Sequence, residues 1–161
     1  MTVAEYNDCV KQHADGVYRF ILKNTRSEVD AQDIVQNAFE ILWNKHQEVD
    51  AQKAKSYLFT VAYHNMIDGI RRGKKMDYVE EVKETSRYES NGFTGAKEAI
   101  ERAMAHLPEI QRTVVMLRDY EGYAYDEIGT ITGLTESQVK VYIFRARKKL
   151  QDFLVSIEHV I

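Results

Sequence analysis

The sequence predicts an all-α protein built as two small helical domains joined by a linker. Three observations carry that expectation. Only one proline, Pro108, stands in 161 residues, so proline interrupts helix at a single place. Apolar residues recur at i, i+3 and i+4, the period of one buried helix face. Between Lys74 and Gly95 that period lapses: acids gather, apolar residues thin out, and Asn91-Gly92 and Gly95 break regularity. A compact single domain rarely contains a loop of about 20 residues. The expected division is therefore 1–73, a linker at 74–95, and 96–161.

The elements follow in order. Val17, Phe20, Ile21 and Asn24 form one helical stripe. Asp30 is placed to cap the next helix, with Asp33 adding negative charge to its first turn. Ile34, Val35, Ala38, Ile41 and Leu42 make that helix's apolar face. Asp33, Gln36, Asn37 and Glu40 make its polar face, and Trp43 near its end is expected in the core. Residues 49–55 read as a polar connection. Ser56 then caps a third helix over 57–72, with Leu58, Val61, Ala62 and Met66 inward and Gly73 as its stop. Helix resumes over 96–106. Pro108 suits the first turn of another helix, 109–120, which Gly122 ends.

Composition excludes several classes. The chain is 44% hydrophobic and 29% charged, a globular balance rather than a disordered one. Its longest uncharged stretch, 56–67, falls short of the about 20 apolar residues that a membrane helix needs. The opening MTVAEYNDCV does not resemble a secretory leader. One cysteine, Cys9, cannot form an internal disulfide and suits a reducing compartment. Cys9 and His13 have the i, i+4 spacing of two zinc ligands, but no second pair accompanies them, so no metal is expected. There is no glycine-rich phosphate loop, nucleophile elbow or HExxH pattern, so neither an enzyme nor a cofactor is expected.

The net charge of −3 conceals two basic islands, +3 over 56–76 and +5 over 137–151. Their plainest reading is solvated helix ends that complement the dipole. The sharper reading is two local phosphate contacts. The second island gains weight from its neighbours. Residues 126–132 make a short helix, Gly133 a tight turn, and Thr135 with Gln138 a capping box for the next helix. Ile128, Val139 and Ile143 are spaced to pack the two helices, and Gly129 lets them approach. This is the pattern of a helix-turn-helix whose second helix enters a major groove. Ser137, Gln138 and Val141 stand in or near its first turn, within reach of base edges. Lys140, Arg145, Arg147, Lys148 and Lys149 follow with no acid between them.

Four segments, in this order, resemble a bacterial RNA polymerase sigma factor of the extracytoplasmic-function type. They are 30–36 with Phe39 and Trp43; 57–62 with Asp68, Arg71 and Arg72; Leu107-Pro108-Glu109 with Gln111-Arg112; and the helix-turn-helix. The resemblance implies a first domain that grips the coiled coil of the largest subunit of core RNA polymerase through Asp33, Gln36, Asn37, Glu40 and Trp43. It implies that the same domain melts the −10 element through a loop near 50–55 and the helix after it, with Lys53, Lys55, Tyr63, His64, Asp68, Arg71 and Arg72 on the DNA. Tyr57, Phe59 and Tyr63 are stacking candidates, with core packing as the other role open to them. It implies a second domain that meets the polymerase flap and reads the −35 duplex through Arg112, Ser137, Gln138, Lys140, Val141, Phe144, Arg145, Arg147 and Lys148. Promoter DNA, core polymerase and an anti-sigma factor, often membrane-bound, are the implied partners, and the cytoplasm the implied compartment. The chain departs from the family pattern at His64, where Asn is usual, at Gln138, often Thr, and at Val141-Tyr142, often Ser-Arg. The alternative on the same residues is a conventional helix-turn-helix regulator with an N-terminal helical sensor or dimerisation domain. An adaptor whose helix-turn-helix binds protein is a third.

Overall fold

The computed structural model describes residues 1–73 and 95–160, the side chains of the last four excepted. Every regular element among them is helical, as the periodicity implies. The predicted linker lies outside the described residues apart from Gly95, which opens a helix. By contacts the chain divides into two compact units.

The first unit packs α1 (Val3–Thr25), α2 (Glu28–Asn44) and α3 (Ala54–Arg72) against one another. A capping box of Thr2 and Glu5 starts α1. The helix ends at Arg26 in the left-handed region (φ 59°), where its N–H bonds the Leu22 carbonyl. Ser27 directly after it is extended and caps α2, its Oγ accepting from the Asp30 N–H at 3.2 Å. Asp30 is thus a first-turn acid and not the cap: the reversal at Arg26 brings the chain into helix three residues early.

A second correction concerns α3. The expected polar connection holds a 3-10 turn, Ala51–Lys53, capped by Asp50, whose Oδ1 accepts from the Gln52 N–H at 3.2 Å. That turn runs straight into α3 at Ala54. Ser56 is therefore interior, its carbonyl accepting from the Thr60 hydroxyl at 2.8 Å.

The core takes Val17, Phe20 and Ile21 from α1, Ala31, Ala38 and Leu42 from α2, and Leu58, Phe59, Ala62 and Met66 from α3. Phe20 and Phe59 lock the α1–α3 contact, with ring centroids 5.4 Å apart. The role of Phe59 is packing. Cys9 is buried too, and burial raises its thiol pKa above the ordinary value.

The later described residues form α4 (Gly95–Ala105), α5 (Glu109–Val115), α6 (Tyr125–Thr132) and α7 (Glu136–Val160). Pro108 is the N-cap of α5 and not its first residue. The helix expected over 109–120 is α5 followed by a π-turn, Met116–Tyr120, in which the Glu121 N–H reaches back five residues to the Met116 carbonyl. Val114, Val115 and Leu117, Ile128 and Ile131 of α6, and Val139, Ile143 and Ala146 of α7 are all buried, and α5 packs on α7. Gly133 takes φ 83° at the turn. Gly129 faces the chain directly after that turn: a Cβ there would stand 2.7 Å from the Leu134 carbonyl oxygen.

Gly129→Ala is therefore expected to destabilise the second unit by about 1–3 kcal/mol, the range for forcing extra volume into a packed contact. Urea unfolding followed by circular dichroism checks this. A variant as stable as the parent would mean that α6 and α7 can separate freely.

Candidate nucleic-acid interface

In the first unit, α2 presents Asp33, Gln36, Asn37 and Glu40 to solvent on one face. Asn37 is also held: its Oδ1 accepts from Asn65 Nδ2 of α3 at 2.6 Å. Trp43 continues this face and is 42% exposed, not in the core as periodicity suggested. Its indole lies outside because Ala38 and Leu42 already fill the α2 contact with the core. Trp43 stacks on His46 at 4.3 Å between centroids and 12° between planes, and Tyr6 meets it edge-on at 5.0 Å. The Tyr6 hydroxyl donates to the Phe39 carbonyl at 3.0 Å. Burial, followed by repulsion from Cys9 and Glu40, raises the Tyr6 pKa above 10.0. The sequence reading missed Tyr6 and His46. His46 stands at i+3 from Trp43 and was open to detection; Tyr6 lies on another helix and was not.

The expected −10 residues do not form one patch. His64, Asp68, Arg71 and Arg72 are exposed at i, i+4, i+7 and i+8 and make one stripe on the C-terminal half of α3. Asp68 and Arg71 pair at 3.7 Å. Arg71 and Arg72 fill the last turn, where positive charge suits the helix dipole. Tyr63 is only 5% exposed, so it presents no open face for a stacked base, and its ring edge meets His64 at 5.5 Å. Lys53 and Lys55 sit at the other end of the helix, about 16 Å and about 14 Å from His64 at about 1.5 Å per residue. The Lys55 ammonium lies 5.9 Å from the centre of the Phe59 ring. The loop expected near 50–55 is the capped 3-10 turn and the first residues of α3.

Residues 125–160 contain the expected helix-turn-helix, α6 and α7 with the turn at Gly133 between them. The Thr135 N–H donates to Gln138 Oε1 at 2.9 Å, and the Gln138 N–H donates to Thr135 Oγ1 at 3.1 Å. This reciprocal box fixes the start of α7 and occupies the Gln138 carbonyl oxygen. Val139, Ile143 and Ala146 form the inward stripe of α7. At about 100° per residue, Ser137, Val141, Phe144, Arg145 and Lys148 gather on the opposite side. Phe144 is 72% and Val141 44% exposed, unusual for apolar residues with no described neighbour over them. An open groove of about 400 Å³ runs beside them, lined by Tyr125, Lys140, Ile143, Phe144, Arg147 and Lys148.

The cations differ in their surroundings. Lys140 pairs with Glu136 at 3.8 Å and lies 5.6 Å from the centre of the Tyr125 ring. Lys148 pairs with Asp152 at 3.7 Å. Arg145 has no ion pair among the described residues. Arg147 is gripped by Asp119, Nη2 to Oδ1 at 2.5 Å and Nε to Oδ2 at 3.4 Å. Hydrogen bonding to that carboxylate raises the Arg147 pKa. Arg112 is placed differently: it is 8% exposed and donates to the Leu107 carbonyl at 2.9 Å and toward the Met104 carbonyl at 3.5 Å. Its guanidinium closes the C-terminal end of α4. Asp119 and Tyr125 were missed because no local pattern links them to α7.

A protein with these features belongs to the class of helix-turn-helix proteins, with a basic helix presented outward and a separate three-helix unit before it. The sequence narrows the class. The family described as "Sigma-70 region 2" matches residues 9–76, and "Sigma-70, region 4" matches residues 97–150. The chain is 28% identical over 159 residues to the ECF RNA polymerase sigma factor SigE of Mycolicibacterium smegmatis, covering 92% of this chain and 61% of that one. It is 27% identical over 150 residues to the ECF sigma factor SigM of Bacillus subtilis, covering 90% and 92%. Among solved structures it resembles the sigma factor RpoE in complex with the anti-sigma factor NepR from Bartonella quintana, with a TM-score of 0.74, 21% identity and coverage of 94% and 98%. The chain belongs to the sigma-70 family, as an RNA polymerase sigma factor of the extracytoplasmic-function type.

The exposed placement of Trp43, the single tryptophan, is directly measurable. Its emission should be red-shifted and strongly quenched by acrylamide in the folded chain. Blue-shifted, quencher-resistant emission would put the indole back in the core.

Proposed function

We propose that this chain directs promoter-specific initiation by binding core RNA polymerase and both promoter elements, as a non-enzymatic factor in the cytoplasm. The observation that carries the reading is the outward face of α7, where Val141, Phe144 and Arg145 stand clear of the fold on a helix fixed by its capping box. In this reading 96–161 reads the −35 duplex and meets the flap of the polymerase. Arg145 serves as the base or phosphate donor, and Val141 as an apolar contact suited to a thymine methyl. Residues 1–73 hold the largest-subunit coiled coil through Asp33, Gln36, Asn37, Glu40 and Trp43, and 74–95 join the two. His64, Asp68, Arg71 and Arg72 take the −10 strand. Arg112 and Tyr63, both buried, are left out of the contact set in this reading.

The RpoE neighbour was solved with an anti-sigma factor, which supports a regulator of that kind for this chain. No described helix is long and apolar enough to cross a membrane. A membrane-bound regulator would therefore have to supply its own anchor.

Run-off transcription with purified core polymerase on a promoter library tests the reading. Discrete new start sites sharing upstream elements are expected only when the chain is added. Tight, specific duplex binding by the chain alone, with no new starts, would favour the conventional regulator. Two variants address the surfaces. Arg145→Ala should weaken −35 binding by about 1–3 kcal/mol, the worth of a base-edge contact. Asp33→Ala with Glu40→Ala should lower affinity for core polymerase while leaving the circular dichroism unchanged. Undiminished affinity would make that face merely solvated.

A further inference from the structure

Arg147 differs from the other cations of α7 in where it points and what it holds. From Arg145 to Arg147 is about 200° around a helix, so the two side chains leave on nearly opposite sides. Arg147 lies instead with Lys140, on the flank that faces Tyr125. There it meets Asp119, and both ends of its fork are engaged. Asp119 belongs to the π-turn, and so does Arg118 directly before it. Arg118 Nη1 donates to the Tyr123 carbonyl at 2.9 Å, and its guanidinium lies 4.5 Å from the centre of the Tyr125 ring. One π-turn therefore reaches both helices of the motif, α6 through Arg118 and α7 through Asp119. A regular helix would rotate these two residues away from the positions they hold, because a π-turn adds a residue to the turn.

We propose that Asp119 is a positioning residue for −35 reading: by holding Arg147 it fixes the pose of α7, and Arg147 acts as a strut within the fold rather than as a DNA phosphate ligand. The inference rests on the reading of α7 as the −35 helix. It assigns to Asp119 a role that the basic run does not suggest, and it removes one of five cations from the phosphate count. An exposed ion pair is usually weak. This one is bidentate, the geometry in which Arg–carboxylate pairs are strongest. A phosphate competing for Arg147 would have to displace Asp119 and would meet its negative charge.

Salt dependence separates a strut from a phosphate ligand, because each phosphate neutralised adds about 0.9 to the slope of log K against log salt. The full chain, assembled on core polymerase and also alone, is titrated with labelled −35 duplex and with scrambled duplex. For Arg147→Ala the expected result is several-fold weaker binding with an unchanged slope. For Asp119→Asn it is a slope steeper by up to about 0.9, with a lower ratio of specific to scrambled binding, because Arg147 is released to any phosphate. The charge swap D119R/R147D rebuilds the pair in reverse. It should recover the ratio lost in R147D alone, and it decides the matter if the single variants fold poorly. A slope reduced by about 0.9 in Arg147→Ala would make Arg147 a phosphate ligand and overturn the proposal. So would an unaltered slope and ratio in Asp119→Asn, or a swap that recovers nothing. If the chain ignores core polymerase yet binds duplex tightly alone, the sigma-factor reading fails, and the slopes on duplex alone still decide the role of Arg147.

Discussion

The helix-turn-helix depends on the approach of α6 to the chain entering α7, where there is no room for a side chain between Gly129 and the Leu134 carbonyl. Val139, Ile143 and Ala146 are buried where α7 packs on α4 and α5, and so the opposite side of α7 faces the solvent. Gly133 with its positive φ turns the chain, and the Thr135–Gln138 box starts the helix at a defined residue. A start one residue later would rotate every outward side chain by about 100° and put different groups on the open face. The capping box is worth only about 1 kcal/mol, yet it also fixes register.

In the first unit the corresponding constraint is the Phe20–Phe59 contact. Small residues, Ala31, Ala38, Ala54 and Ala62, bring the three helices close around it. With those positions filled, the larger aromatic side chains near the helix ends have no inward space. Trp43 therefore lies outside, held by His46 and Tyr6 rather than by the core. An exposed aromatic group with fixed neighbours loses little conformational freedom on binding, which is the property that makes such residues effective anchors at interfaces.

Much of this was legible in the sequence, and the division between legible and hidden has a physical cause. Interactions that close within three or four residues leave a pattern: the Thr135 box, the turn at Gly133, and the buried stripes at Val17–Ile21 and Val139–Ala146. Interactions between elements leave none. Asp119 with Arg147, and Asn37 with Asn65, are each 28 residues apart. Arg112 and Arg145 look alike in a charge count, but one closes a helix end in the interior and the other stands on the surface with no ion pair among the described residues. The caps were misplaced for a related reason. Asp30 and Ser56 are good capping residues by type, but Ser27 and the 3-10 turn after Asp50 precede them and start the helices first. The first suitable residue after a chain reversal takes the cap, and locating the reversal at Arg26 required the structure.

The charge distribution bears on how the two surfaces work together. The chain is acidic as a whole, and of the cations on α7, Lys140, Arg147 and Lys148 already have carboxylate partners. A helix so furnished neutralises few phosphates, and the phosphate term dominates the affinity of isolated DNA-binding helices. Weak intrinsic affinity is an advantage where the same chain also holds polymerase. Once one unit is engaged, the second binding event is intramolecular, and an effective concentration in the millimolar range compensates for a weak contact. Strong binding by α7 alone would instead distribute the free chain along non-specific DNA. On this argument the acidic partners on α7 lower affinity for DNA in general, so that the −35 contact becomes effective only when polymerase has already brought the two units to one promoter.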